Sequence, residues 1–151
     1  MSTFDLKPIR AKRPSTLLSI ALRDLKKVHA RGDVKIDMAV YYGNGTPWIN
    51  DGKCSVCLAG SCLVGKKELK DYVGSLTPSS ELSDDLRRQM WAINALRCGD
   101  IKTANYYLRI DHPDALPQYV KMVDWEDTHA GRRRFYAYIN RLIKLLKKHG
   151  V

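Results

Sequence analysis

Between residues 80 and 108 the chain places apolar side chains at helical spacing twice, on either side of one glycine, and this stretch constrains the fold more than any other. Leu82, Leu86, Met90, Ile93 and Leu96 recur every three or four residues and share one face of a helix. Ser80 is placed to cap that helix, and Glu81, Asp84 and Asp85 occupy its first turns. Arg97 lies near its end, so the charges complement the helix dipole. Gly99 stops the helix, Asp100 can cap the next, and Ile101, Ala104, Tyr107 and Leu108 draw a second stripe. Two amphipathic helices joined at a glycine make a helical hairpin over 80–109, and both stripes need partners to be buried.

The rest of the chain supplies them. Leu17, Leu18, Ala21, Leu22, Leu25 and Val28 form a stripe on a helix over 15–31, with Ser15 as its expected cap and Gly32-Asp33 closing it. Phe135, Tyr138, Ile139, Leu142, Ile143 and Leu146 do the same for a last helix over 132–149. Residues 54–64 contain no charge and are small or apolar almost throughout, which predicts a helix buried on all sides at the centre. Residues 34–42 alternate and then turn β-branched and aromatic, which suits one short β segment. Turn-forming clusters around Trp48 and Ile49 predict a loop over 43–53, Lys66–Val73 reads as a short helix, and so does Gln118–Asp127. The expected architecture is a mainly α-helical single domain over 15–151, preceded by a basic flexible arm over 1–14 in which Pro8 and Pro14 deny a helix. At 151 residues, 44% of them hydrophobic, the chain is long enough for one such core.

Charge divides unevenly along this frame. The chain has 26 Lys and Arg against 16 Asp and Glu, a formal +10. Residues 1–35 carry +6, residues 36–115 carry −1 and residues 116–151 carry +5. The excess therefore belongs to the two ends. A positive field of this size attracts phosphate backbones or an acidic protein surface in a salt-dependent way. The candidate contacts are Lys7, Arg10, Lys12 and Arg13 in the arm, and Lys26, Lys27 and Arg31 in the first helix. In the last helix they are Arg132, Arg133, Arg134, Tyr136, Arg141, Lys144, Lys147 and Lys148. Tyr136 is included because it lies off the apolar stripe beside three arginines, and arginine next to an aromatic suits phosphate contact with base stacking. Packed on one side of the core the two ends would build a single positive face, and on opposite sides two weaker ones.

Cysteine is the other residue type with chemistry to offer. Cys54 and Cys57 have the two-residue separation of zinc ligands, or of a redox dithiol near a helix N-terminus. Their neighbours Val56, Leu58, Ala59 and Leu63 are apolar, and no second Cys-x-x-Cys pair accompanies them, so buried structural thiols are the leading reading. A protein acting in a cytosol keeps such thiols reduced. Glu126 and His129 have the spacing of carboxylate-bridged metal sites, but those sites need two such pairs. No partnered nucleophile, phosphate loop or dinucleotide fingerprint occurs, and Asp100 and Asn105 stand where a helix-turn-helix places apolar residues. No catalytic residue and no cofactor is assigned, with zinc at Cys54 and Cys57 as the alternative.

The segment Asp51-Gly52-Lys53-Cys54-Ser55-Val56-Cys57-Leu58-Ala59-Gly60, with Asn94-Ala95-Leu96-Arg97-Cys98-Gly99 at the hairpin turn, resembles a family of small, uncharacterised bacteriophage proteins. That family carries a Cys-x-Val-Cys-Leu-Ala-Gly core helix before a helical hairpin. The resemblance covers roughly 36–108 and departs at Ser61-Cys62. It implies a viral origin and a helical core, and no activity. The expected function is that of a non-enzymatic phage accessory protein in the host cytoplasm. It would use its basic ends on a host protein with an acidic surface, or on DNA or RNA without strong sequence preference. No membrane partner is expected, because no run reaches the roughly 18 apolar residues of a span. A Cys-dependent metal or redox protein, and a helical virion component using the last helix as an oligomer seam, are the alternatives.

Overall fold

In the computed structural model, residues 13–32, 34–38, 42–43, 54–59, 61, 84–110 and 116–151 are described. The protein is mainly α-helical and forms a single compact domain. In chain order come α1 (Pro14–Arg31), β1 (Val34–Ile36), β2 (Tyr42–Gly43), β3 (Cys54–Val56), α2 (Asp84–Arg97), α3 (Ile101–Leu108) and α4 (His129–Lys148). Residues 1–12 of the arm expected over 1–14, residues 44–53 of the loop expected over 43–53, the helix Lys66–Val73 and the Ser80 cap lie outside the described residues.

Helix α1 begins one residue earlier than its apolar stripe suggests, and Ser15 is not the cap. Pro14 takes the first helical position after Arg13, where its missing N–H costs nothing and its fixed φ is already helical. Gly32 ends α1 in the left-handed conformation at φ 76°, its N–H donating to His29 O at 3.3 Å. Leu17, Leu18, Ala21 and Leu25 are fully buried, and each such leucine stabilises the fold by about 2 kcal/mol of apolar burial.

The hairpin forms as the two stripes require. Met90, Ile93 and Leu96 of α2 and Ile101 and Ala104 of α3 have no exposed surface. Asp100 caps α3 with one carboxylate oxygen accepting from Thr103 N at 3.1 Å and the other from Thr103 Oγ1 at 2.6 Å. Gly99 sits between the helices at φ 76° with its α-carbon against the carbonyl of Val120, a place no side chain can share.

Residues 54–56 are a strand and not part of a buried helix, which corrects the expectation for 54–64. β3 is the centre of a three-stranded sheet in the order β1-β3-β2. It runs parallel to β1, with Val34 opposite Cys54 and Ile36 opposite Val56, and antiparallel to β2, with Tyr42 opposite Val56. An uncharged run suits a covered parallel strand as well as a buried helix, so composition alone does not separate them. Cys57, Leu58 and Ala59 turn directly into the core beyond it.

The second correction concerns 118–127, where no helix forms. Residues 116–128 form a non-helical strap that crosses the α2–α3 turn and continues along α4. Its Gln118 carbonyl accepts from Ile101 N and Lys102 N, two first-turn amides of α3, at 3.0 and 3.2 Å. Val120 N donates to Gly99 O at 2.8 Å. A helix here would place Asp124, Glu126 and Asp127 at its C-terminal end, against the dipole; extended, they lie just before the N-terminus of α4, where negative charge is favourable.

Helix α4 closes the core with Phe135, Tyr138, Ile139, Leu142 and Leu146, none more than 1% exposed. Tyr138 reaches the hairpin, its hydroxyl donating to Arg97 O at 2.8 Å and so satisfying a carbonyl left open at the end of α2. Burial pushes the Tyr138 phenol up to about 12, with Cys98 adding to the rise and Arg97 and Arg141 opposing it.

Candidate anion-binding groove

Helices α1 and α4 pack as an antiparallel pair, because their contacts advance along one as they retreat along the other. The Lys26 Nζ lies 4.9 Å from the centre of the Tyr136 ring, and further along α1 the His29 Nε2 lies 3.4 Å from Asp127 Oδ1. Beside this seam is a groove of about 570 Å³. Ser19, Leu22, Arg23, Lys26 and Lys27 line it from α1, and Asn140, Ile143, Lys144 and Lys147 from α4. Both sets have the spacing of one helical face, which brings five cations from opposite ends of the chain to one place. Lys26, Lys27, Lys144 and Lys147 have no carboxylate within ion-pair distance among the described residues. Arg23 Nε stands 3.7 Å from the buried carboxylate of Asp24. Leu22 and Ile143 are almost fully buried and give the groove an apolar floor.

The arginine cluster at the other end of α4 has a different electrical environment. Arg132 Nη1 bonds Asp127 Oδ1 at 2.9 Å and Arg134 Nη2 bonds Glu126 Oε2 at 3.0 Å. Thr128 caps the helix, its hydroxyl accepting from Gly131 N at 3.0 Å. Arg133 is exposed and, with Arg134, flanks a shallow hollow floored by Ala130 and Ala137. Tyr136 is half-buried, its ring beneath Lys26 and packed against Trp125 and Phe135. Its phenol is raised above the ordinary value by burial, with Arg132 opposing and Asp127 adding to the rise.

The remaining candidates scatter. Arg141 is on the far flank of α4, where with Lys121 it borders an apolar hollow of Val120, Val123, Leu142 and Leu145. Arg31 and Lys148 are exposed near helix ends, and Arg13 precedes α1. Lys7, Arg10 and Lys12 lie outside the described residues. The structure thus gathers Lys26, Lys27, Lys144 and Lys147, and sets Arg132 and Arg134 apart as partners of local acids. Ser19, Arg23 and Asn140 were not among the expected contacts; the periodicity that found the lysines includes them, but only packing shows which flank is shared.

Cys54 stands on β3, and Cys57 follows it, 2% exposed and not in a disulfide. No group of three His, Cys, Asp or Glu side chains suited to a metal ion occurs among the described residues. Glu126 is engaged by Arg134. The apolar stripe of α4 is consumed by the domain core, which leaves an oligomer seam on that face without a surface. No described helix is long and apolar enough to cross a membrane. Fold and groove together define a small helical domain with a built cationic face. Comparison with known proteins finds no family model, no curated protein and no solved structure that matches the chain.

Proposed function

We propose that this is a non-enzymatic accessory protein of bacteriophage origin that binds polyanions in the host cytoplasm through the α1–α4 groove, with the phosphate backbone of nucleic acid as its ligand. The observation that carries the reading is the convergence of Lys26, Lys27, Lys144 and Lys147 on one groove, with no carboxylate among the described residues to neutralise them. Uncompensated cations held at fixed spacing on rigid helices favour an extended anion and confer no base preference, since phosphate contacts position a duplex or strand without reading it. The phage origin rests on the resemblance around Cys54–Gly60 and Asn94–Gly99.

Neutralising three or four phosphates predicts that log K falls against log salt with a slope of about −3. Fluorescence anisotropy with labelled DNA and RNA between about 50 and 200 mM salt measures it. Undetectable binding at the lower salt would end the nucleic-acid reading. One observation favours a second ligand: Leu22 and Ile143 give the groove an apolar floor, which suits an acidic segment of a host protein carrying an apolar anchor. Capture of a host protein from bacterial lysate that survives nuclease treatment, with no binding to purified oligonucleotides, would select that ligand.

A further inference from the structure

The hairpin carries a second surface that the groove does not use. Trp91 of α2 packs on Tyr107 of α3 with ring centres 5.3 Å apart, and Tyr107 meets Tyr106 edge-on at 5.4 Å. The three rings run from the half-buried flank of the hairpin outward to Tyr106, which is 70% exposed. The guanidinium of Arg88 lies 5.9 Å from the Tyr106 ring centre. Lys102, one turn before Tyr106, and Arg109, one turn after it, are both exposed. Arg88, Lys102 and Arg109 have no carboxylate within ion-pair distance among the described residues.

Single exposed aromatics are common and need no explanation. A continuous ladder of three rings bordered by three cations that pair with no carboxylate among the described residues is a different object. An exposed tyrosine gains little from burial, so packing does not account for Tyr106. Arg109 adds an independent observation: it occupies the left-handed region at φ 55°, the only described residue other than glycine to do so, at a position where glycine is usual. That conformation costs a side chain about 1 kcal/mol, and it sets Arg109 at the end of the helix that carries Tyr106.

We propose that this face binds unpaired nucleobases, with Tyr106 as the stacking platform and Lys102, Arg88 and Arg109 meeting the flanking phosphates, so that the nucleic acid bound is single-stranded. Bases inside a duplex already have both faces covered by their neighbours, and an aromatic side chain can stack only on a base that is free. The mixture of rings and cations matches surfaces that hold single strands with little sequence preference. The inference rests on the nucleic-acid reading of the groove and adds to it a choice of strand state.

The test measures binding of oligothymidylate of about 16 nucleotides, and of a duplex of the same length, by anisotropy at about 50 mM salt. The proteins are the full chain, Tyr106→Ala, Tyr106→Phe and the groove variant Lys26→Glu/Lys144→Glu. Loss of one stacked base predicts roughly tenfold weaker single-strand binding for Tyr106→Ala, with duplex binding changed less than about twofold. Tyr106→Phe keeps the ring and retains single-strand affinity. Because Tyr106 is exposed, neither variant threatens the fold. If Tyr106→Ala leaves single-strand affinity intact while the groove variant weakens binding to both ligands, the stacking surface is refuted and the groove reading stands. If neither oligonucleotide binds the unaltered chain, both fall.

Discussion

The two ends of α4 carry the same sign of charge and differ in what the fold does with it. At the N-terminal end Arg132 and Arg134 are held by Asp127 and Glu126, residues of the turn that leads into the helix. These cations stand near the positive pole of the helix dipole, where they are disfavoured, and the acids beside them offset that cost. At the C-terminal end Lys144 and Lys147 stand near the negative pole, which favours them, and lie across a groove from Lys26 and Lys27 of α1. One cluster is spent on structure; the other remains available to a ligand. Net charge counts both alike, so a +10 chain can present a smaller reactive charge than its composition suggests.

The strongest way to break this contrast is to reverse charge in the groove. Lys26→Glu/Lys144→Glu places acids on both walls, and polyanion affinity at about 50 mM salt should fall by about a hundredfold, with the salt slope reduced by about two. Lys26 lies over the Tyr136 ring and Lys144 stands near the negative pole of α4, so the double reversal should cost about 1–2 kcal/mol of stability and leave the protein folded. A loss of binding accompanied by unfolding would mean that the lysines serve the fold after all.

Gly131→Ala attacks the other end. A β-carbon at Gly131 would stand 2.5 Å from Glu126 Cβ and 2.7 Å from Glu126 O, so the acidic turn and the Thr128 cap would have to shift. We expect a loss of about 2 kcal/mol in chemical denaturation, combining overpacking with part of a cap, and groove binding within about twofold of the unaltered protein. Equal damage to binding would show that the two ends are coupled through the helix.

The middle of α4 sharpens the contrast, because Tyr138 ties the helix to the hairpin without any net charge. Tyr138→Phe removes the hydroxyl bonds to Arg97 O and Leu96 O and should cost about 1 kcal/mol near neutral pH. The pH dependence has a definite sign. The folded phenol is raised from 10 to about 12, so its contribution is complete below pH 10 and is lost as pH rises through about 12. Thermal melts across that window should show a shallower decline for Tyr138→Phe than for the unaltered chain. Parallel declines would remove Tyr138 as the cause.

What the sequence discloses follows the range of the interactions. The hairpin is legible because its stripes, the Gly99 stop and the Asp100 cap all act within a few residues. Strand β3 is not, because Cys54-Ser55-Val56 becomes a strand only by pairing with Val34–Ile36 and Tyr42–Gly43, which are distant in the chain. The non-helical path over 118–127, where the sequence predicts a short helix, is not legible for the same reason: Gln118 and Val120 bond Gly99, Ile101 and Lys102, residues outside the segment. For the site, periodicity reveals the lysine rows on α1 and α4, whereas their meeting in one groove is a product of antiparallel packing. The pairing of Arg132 and Arg134 joins residues five and eight apart across a turn, a separation that no helical rule anticipates. Tyr106 lies off the stripe that its neighbour Tyr107 shares, and only the packing of Trp91 on Tyr107 makes the two tyrosines part of one surface.

The smallest effect separates two explanations for the ion pairs at the start of α4. Asp127 is 66% exposed and Arg132 25% exposed, so their bond is worth at most about 1 kcal/mol. If pairing were all that mattered, removing either partner would cost the same. The helix dipole breaks that symmetry. Asp127→Asn loses the bond to Arg132, the contact with His29 Nε2 and a negative charge just ahead of the helix N-terminus, while Arg132→Ala loses the bond but also takes a cation out of the first turn; a His29→Gln background removes the second contact from the comparison. We therefore expect Asp127→Asn to destabilise by about 0.5–1 kcal/mol, and Arg132→Ala by no more than a few tenths. Paired denaturation curves at low salt resolve a difference of that size. The gap between the two variants should close at about 1 M salt, where charges more than about 3 Å apart are screened. Equal costs at low salt would leave the ion pair alone as the reason these arginines are held, and would remove the dipole from the account of why the two ends of α4 differ.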